Sequence, residues 1–73
     1  MTRMDWVNRA NNHTKVVEYH QKMAKRYAAA AENALKRGDT DKARRWLDKA
    51  EAYNRNVEEG LLFIDLLMKK AKE

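Results

Sequence analysis

Apolar residues recur at alternating spacings of three and four on both sides of one short interruption, and that pattern restricts the chain to paired helices. The first series runs Trp6, Ala10, His13, Val17, His20, Ala24, Tyr27, Ala31, Ala34; the second runs Ala43, Trp46, Ala50, Tyr53, Val57, Gly60, Ile64, Leu67, Ala71. Each is a seam sustained for about four heptads, the mark of coiled-coil-like packing. The second passes through Gly60 without a slip of phase, which puts Gly60 inside a helix. The interruption is Lys36-Arg37-Gly38-Asp39-Thr40-Asp41. Gly38 suits the left-handed residue that follows a helix, with Lys36 and Arg37 at the negative end of the dipole. Asp39 or Thr40 then caps the next helix, and Asp41 falls in its first turn.

The reading is an all-α chain: one domain over 1–73, with a helix over about 3–37, a turn at 38–40 and a helix over about 41–72. Folding at the turn sets large residues against small ones in successive layers: Ala31 with Trp46, Tyr27 with Ala50, Ala24 with Tyr53, Val17 with Gly60, Ala10 with Leu67, Trp6 with Ala71. Close packing requires such alternation. A three-helix bundle is the alternative, because Asn11-Asn12-His13-Thr14 places four poor helix formers in a row. A second break near Glu59-Gly60 would serve the same reading. Composition agrees with helices, since there is no proline, only two glycines, and no alternating β-branched run.

Residues 24–57 resemble a single tetratricopeptide-type helical hairpin. Tyr27, Ala30, Ala31, Ala34, Gly38, Ala43, Leu47 and Ala50 fall at that repeat's aromatic, small and apolar positions. Arg55 stands where the family has proline, and no second copy follows. Repeats of this kind need stacked neighbours, so the resemblance implies hairpin geometry and not a peptide-binding groove.

The seams leave apolar residues over. Leu61, Leu62, Phe63, Leu66 and Met68 surround Ile64 and Leu67, while Val16, Tyr19 and Met23 extend the first arm, with Val7 beyond them. A helix apolar around most of its circumference calls for burial. These residues are therefore the expected partner or oligomer interface, and homodimerisation into a four-helix bundle is the favoured solution. Fold-back of the N-terminal stretch, or a foreign protein partner, would also cover them. Trp6 and Trp46, each opposite an alanine, are read as core.

The net charge of +5 is uneven. Residues 22–49 hold nine cations against four acids, and the remainder is balanced. Lys25, Arg26, Arg37, Arg44 and Arg45 are candidate contacts for phosphates or an acidic partner. Others sit four residues after an acid, as ordinary helix-surface pairs: Glu18–Lys22, Glu32–Lys36, Asp41–Arg45.

Chemistry has little to work with. Serine and cysteine are absent, and no glycine-rich loop could cradle a phosphate. His13 and His20 are two turns apart, ~10 Å along the axis, too far to share a metal ion within one arm. They are expected as buried, hydrogen-bonded seam residues. Arg37-Gly38-Asp39 spells an adhesion tripeptide, but each residue already has a structural role in the turn. No catalytic site, metal, cofactor or small-molecule substrate is expected. The start lacks the apolar run of a secretory signal, and no stretch approaches the ~20 residues of a membrane span, so a cytoplasmic location is expected. The function inferred is that of a non-enzymatic regulator, adaptor or inhibitor that binds another macromolecule, with nucleic-acid binding through the basic half as the alternative.

Overall fold

The computed structural model describes residues 2–73: helix α1 over Arg3–Lys36 and helix α2 over Thr40–Lys72, packed antiparallel along their length. The hairpin is a rod of 54 × 14 × 12 Å. Helix α1 opens on a capping box. The Asp5 N–H donates to Thr2 Oγ1 at 3.3 Å, and Thr2 N–H donates back to Asp5 Oδ2 at 3.0 Å. Two of the orphan donors at the helix start are satisfied this way.

The turn is short, with residues 37–39 between the two helices. Gly38 takes φ 78, where a Cβ would be strained. Its N–H donates to Leu35 O at 3.0 Å, and the Asp39 N–H donates to Ala34 O at 2.9 Å. These two bonds form a Schellman motif. Asp39 then caps α2, its Oδ1 accepting from the Lys42 N–H at 3.1 Å.

The three-helix alternative and the fold-back of the N-terminal stretch are both overturned, because α1 is unbroken through Asn11-Asn12-His13-Thr14. Poor propensity costs a few tenths of a kcal/mol per residue, and tertiary contacts outweigh it. Ala10 is buried in the seam, the His13 ring meets Phe63 edge-on at 4.9 Å, and the Thr14 hydroxyl donates to Ala10 O at 2.9 Å.

Every fully buried residue belongs to one of the two seams: Ala10, Val17, Ala24, Ala31 and Ala34 on α1; Ala43, Ala50, Gly60, Leu67 and Ala71 on α2. The close approach at Gly60 is tight. A Cβ built there would stand 2.5 Å from Val17 Cγ2 and 3.3 Å from His13 Nε2. At the open end, Arg3 Nε donates to Ala71 O at 2.8 Å and ties the start of α1 to the end of α2.

Two expectations need correction. His13 and His20 are half-buried, not buried, and the core holds no polar residue. Trp6 and Trp46 are likewise half-buried. The reason is the thinness of the rod: one facing helix covers small side chains completely and large ones on a single side. The large rings therefore reach the rim of the seam, where cations lie on them. Arg9 stands 5.4 Å over Trp6, and Lys49 stands 5.3 Å over Trp46 and 5.4 Å over Tyr27.

Candidate interaction surface

The seam divides the rod into two flanks of different chemistry. In heptad terms, position a carries small or aliphatic residues (Ala10, Val17, Ala24, Ala31; then Ala43, Ala50, Val57, Ile64, Ala71). Position d carries the rings of Trp6, His13, His20 and Tyr27 on α1 and of Trp46 and Tyr53 on α2. In an antiparallel pair, e positions of both helices border the a side and g positions border the d side. The surface grooves follow this division. One is lined by Gln21, Ala24, Lys25, Ala28, Asn54 and Val57. Two others, on the opposite flank, gather His13, Val16 and Phe63, and Ala30, Arg37, Lys42 and Trp46.

The flank beside the a layer carries no charge at its e positions. On α1 they are Val7, Thr14, Gln21, Ala28 and Leu35; on α2, Leu47, Asn54, Leu61 and Met68. In a chain that is 37% charged, an uncharged stripe along the whole rod stands out. Its large members are left open to solvent: Leu35 by 55%, Leu47 by 43%, Leu61 by 52% and Met68 by 37%.

The flank beside the d layer has two halves. Near the open end it is mixed: Val16 and Phe63 share one groove with Arg9 and Asn12, Leu66 lies alongside, and Asp5, Glu59 and Lys70 hold c or g positions, while Tyr19 and Met23 flank the middle of the rod. Near the turn it is cationic. Arg37, Lys42 and Lys49 occupy g, Arg26 and Arg45 occupy c, and all five are exposed. From the middle of the rod toward the turn runs a column of rings: Tyr19 to His20 at 5.7 Å, His20 to Tyr53 at 5.7 Å, Tyr53 to Tyr27 at 5.6 Å, Tyr27 to Trp46 at 5.3 Å. Crowding of its hydroxyl by these neighbours, with the nearby Tyr19 and Tyr27 phenols, raises the Tyr53 pKa above the ordinary 10.0. The phenol form is thereby favoured within the stack.

The eight residues read from the sequence as an apolar interface thus do not share one face. Leu61 and Met68 lie on the flank beside the a layer. Val16, Met23 and Phe63 lie on the other flank, with Tyr19 and Leu66 beside it, and Leu62 points outward from α2. The five candidate cations also divide. Arg26, Arg37 and Arg45 share the flank beside the d layer, whereas Lys25 lines the groove of the opposite flank and Arg44 occupies the same heptad position b on α2. The candidates read from the sequence do not include Leu35 and Leu47 on one flank, and count Lys42 and Lys49 on the other only within the basic half. Sorting the seam into a and d, and then reading e and g as separate stripes, would have found all four.

Of the three expected helix-surface pairs, only Glu32–Lys36 forms, at 3.7 Å; Lys69 pairs with Asp65 at 3.5 Å. Exposed pairs of this kind are worth a few tenths of a kcal/mol, too little to hold two long side chains in place. Among the described residues no group of three or more His, Cys, Asp or Glu is placed to hold a metal ion. Nor is any helix long and apolar enough to cross a membrane. Compared with known proteins, the chain matches no family model, no curated protein and no solved structure.

Proposed function

We propose that this chain is a non-enzymatic interaction module: a helical hairpin that pairs with a second copy of itself into a four-helix bundle and, so paired, binds another macromolecule. The observation that carries the reading is an excess of surface. A compact monomer of 8.6 kDa exposes roughly 4,700 Å². This rod exposes 5766 Å². The difference, on the order of 1,000 Å², is close to the ~800 Å² that each partner buries in a stable interface.

The uncharged e stripe, bordered by the mixed charges of the b positions, is the surface best suited to that burial. Small a residues permit close approach, and Leu35, Leu47, Leu61 and Met68 supply apolar area near both ends. Gln21 and Asn54 at its centre can hydrogen-bond across the pair. Light scattering after size exclusion tests the proposal. The expected molar mass is twice that of one chain, held across a concentration series. Leu47→Glu with Leu61→Glu is expected to return a monomer, whereas Leu62→Glu, on the outer surface, leaves the mass unchanged. A wild-type chain that elutes as a monomer at every concentration sinks the proposal.

A further inference from the structure

We infer that the turn-proximal half of the ring-bearing flank is a docking strip for the phosphate backbone of a nucleic-acid duplex, built from Arg26, Arg37, Lys42, Arg45 and Lys49. The inference does not depend on self-pairing, since the strip lies on the flank opposite the one proposed to dimerise.

Three observations carry it. The first is segregation of charge. Between Tyr19 and Asn56, no acidic residue occupies a c or g position on either helix, while five cations do. The acids of that half fall elsewhere. Glu18, Glu32 and Glu51 take b on the other flank, and Asp41 and Asp48 take f on the outside. Asp39 does border the strip, with Arg37 and Lys42, but its carboxylate is engaged as the cap of α2, accepting from the Lys42 N–H.

The second is availability. None of the five cations is in an ion pair among the described residues. The Asp41–Arg45 pair that would have neutralised Arg45 does not form. Lys49 lies over Tyr27 and Trp46, which fixes its position without cancelling its charge.

The third is the spacing and the company the cations keep. At 1.5 Å per residue, Lys42, Arg45 and Lys49 step along α2 by ~4.5 and ~6 Å, and Arg26 lies ~16 Å from Arg37 along α1. With helix axes ~8–10 Å apart, the strip is about 16 Å long and one helix pair wide. A duplex carries one negative charge per ~1.7 Å of axis, so a length matching the strip offers more phosphates than the five cations require. Of the other c and g residues, Ala30 and Asn33 lie between the cations, and Ala52, Asn56 and Met23 follow just beyond them toward the middle of the rod. Asparagines are ready donors to phosphate and sugar oxygens, whereas a protein interface would need buried aromatic or aliphatic anchors here. The nearby rings stack on one another in the seam, so their faces are not free for bases. The contact is therefore to the backbone and carries no sequence preference.

The test is fluorescence anisotropy of the full chain with a labelled duplex of about 20 base pairs, titrated between about 50 and 200 mM salt. Five phosphate contacts set a limiting slope of about −4.5 in log K against log salt. Replacing Arg26, Arg45 and Lys49 together by Gln should weaken binding at least tenfold and flatten the slope by about 2.7. Replacing Lys15, Lys22 and Lys25 together by Gln removes the same charge from the other faces, and should change the affinity by less than about threefold. Arg26→Gln with Arg45→Gln touches neither ring and keeps the test decisive if loss of Lys49 disturbs the stack; helicity checks the fold of each variant. Three results overturn the inference: no saturable binding at the lowest salt, equal losses in the two triple variants, or competition by polyglutamate as strong as by the duplex. The last would point to an acidic protein instead.

Discussion

At Gly60 two opposing effects act on one residue, and their magnitudes decide what substitution does. Alanine in a helix interior is better than glycine by about 1 kcal/mol. Against that, the added Cβ would meet Val17 Cγ2 at 2.5 Å. Valine has one strongly preferred rotamer in a helix, so it cannot turn aside, and overpacking costs about 1–3 kcal/mol. The clash wins. Gly60→Ala is expected to destabilise the hairpin by about 1 kcal/mol, and adding Val17→Ala should reverse the sign of the Gly60 effect. Urea unfolding of the two single variants and the double variant measures this. If Gly60→Ala stabilises in the wild-type background, the close approach is absent in solution. The opposition of Val17 and Gly60 could be read from the chain alone, because it follows from the phase of two seams. The half-burial of His13 and His20 could not, since periodicity says which way a side chain points and not how many neighbours reach it.

Helix α1 is long for a chain with so poor a sequence near its start, and its capping box holds the first turn. The box lowers the Asp5 pKa below the ordinary 3.8, chiefly through the Thr2 backbone N–H and then the Thr2 hydroxyl. A depressed carboxyl pKa stabilises the fold above its unfolded value, and the contribution is lost as pH falls through the folded value. The first turn is therefore expected to fray in acid below about pH 4, visible as loss of helicity and a lower amide protection factor at Asp5 and Trp6. Asp5→Asn should show the frayed behaviour at neutral pH and no further acid step there. A wild-type first turn equally protected above and below that range would show that the box is not formed. The two-helix architecture and its turn were legible in the spacing of apolar residues and in Gly38-Asp39. The continuity of α1 through Asn11-Asn12-His13-Thr14 was not, because it rests on contacts with α2 that local propensity does not contain.

The whole rod is held by a narrow seam in which alanine makes up most of the buried apolar residues, so it buries little apolar area for its length. Pairing with a second copy would add the burial that a lone hairpin lacks. Binding that favours the native state makes the unfolding midpoint depend on concentration. Thermal unfolding followed over a hundredfold range of protein is expected to show a rising midpoint, and a constant one would argue for a self-sufficient monomer. The excess of apolar residues that suggests a partner was visible in the sequence. Its division between two flanks was not, because eight apolar letters specify one face only after the seam has been split into its a and d sides.

The bond from Arg3 to Ala71 holds the start of α1 and the end of α2 together at one end of the rod, opposite the turn. Tension applied through the two ends therefore does not shear the seam along its length. It opens the seam like a zipper, starting with the layer of Trp6 and Ala71 and reaching the column of Tyr53, Tyr27 and Trp46 later. Only one layer bears the load at a time, so the force at any instant is small and the extension released at each step is large. Held by its ends, the hairpin is a compliant link that yields in stages, firmest where the stacked rings lie closest to Gly38.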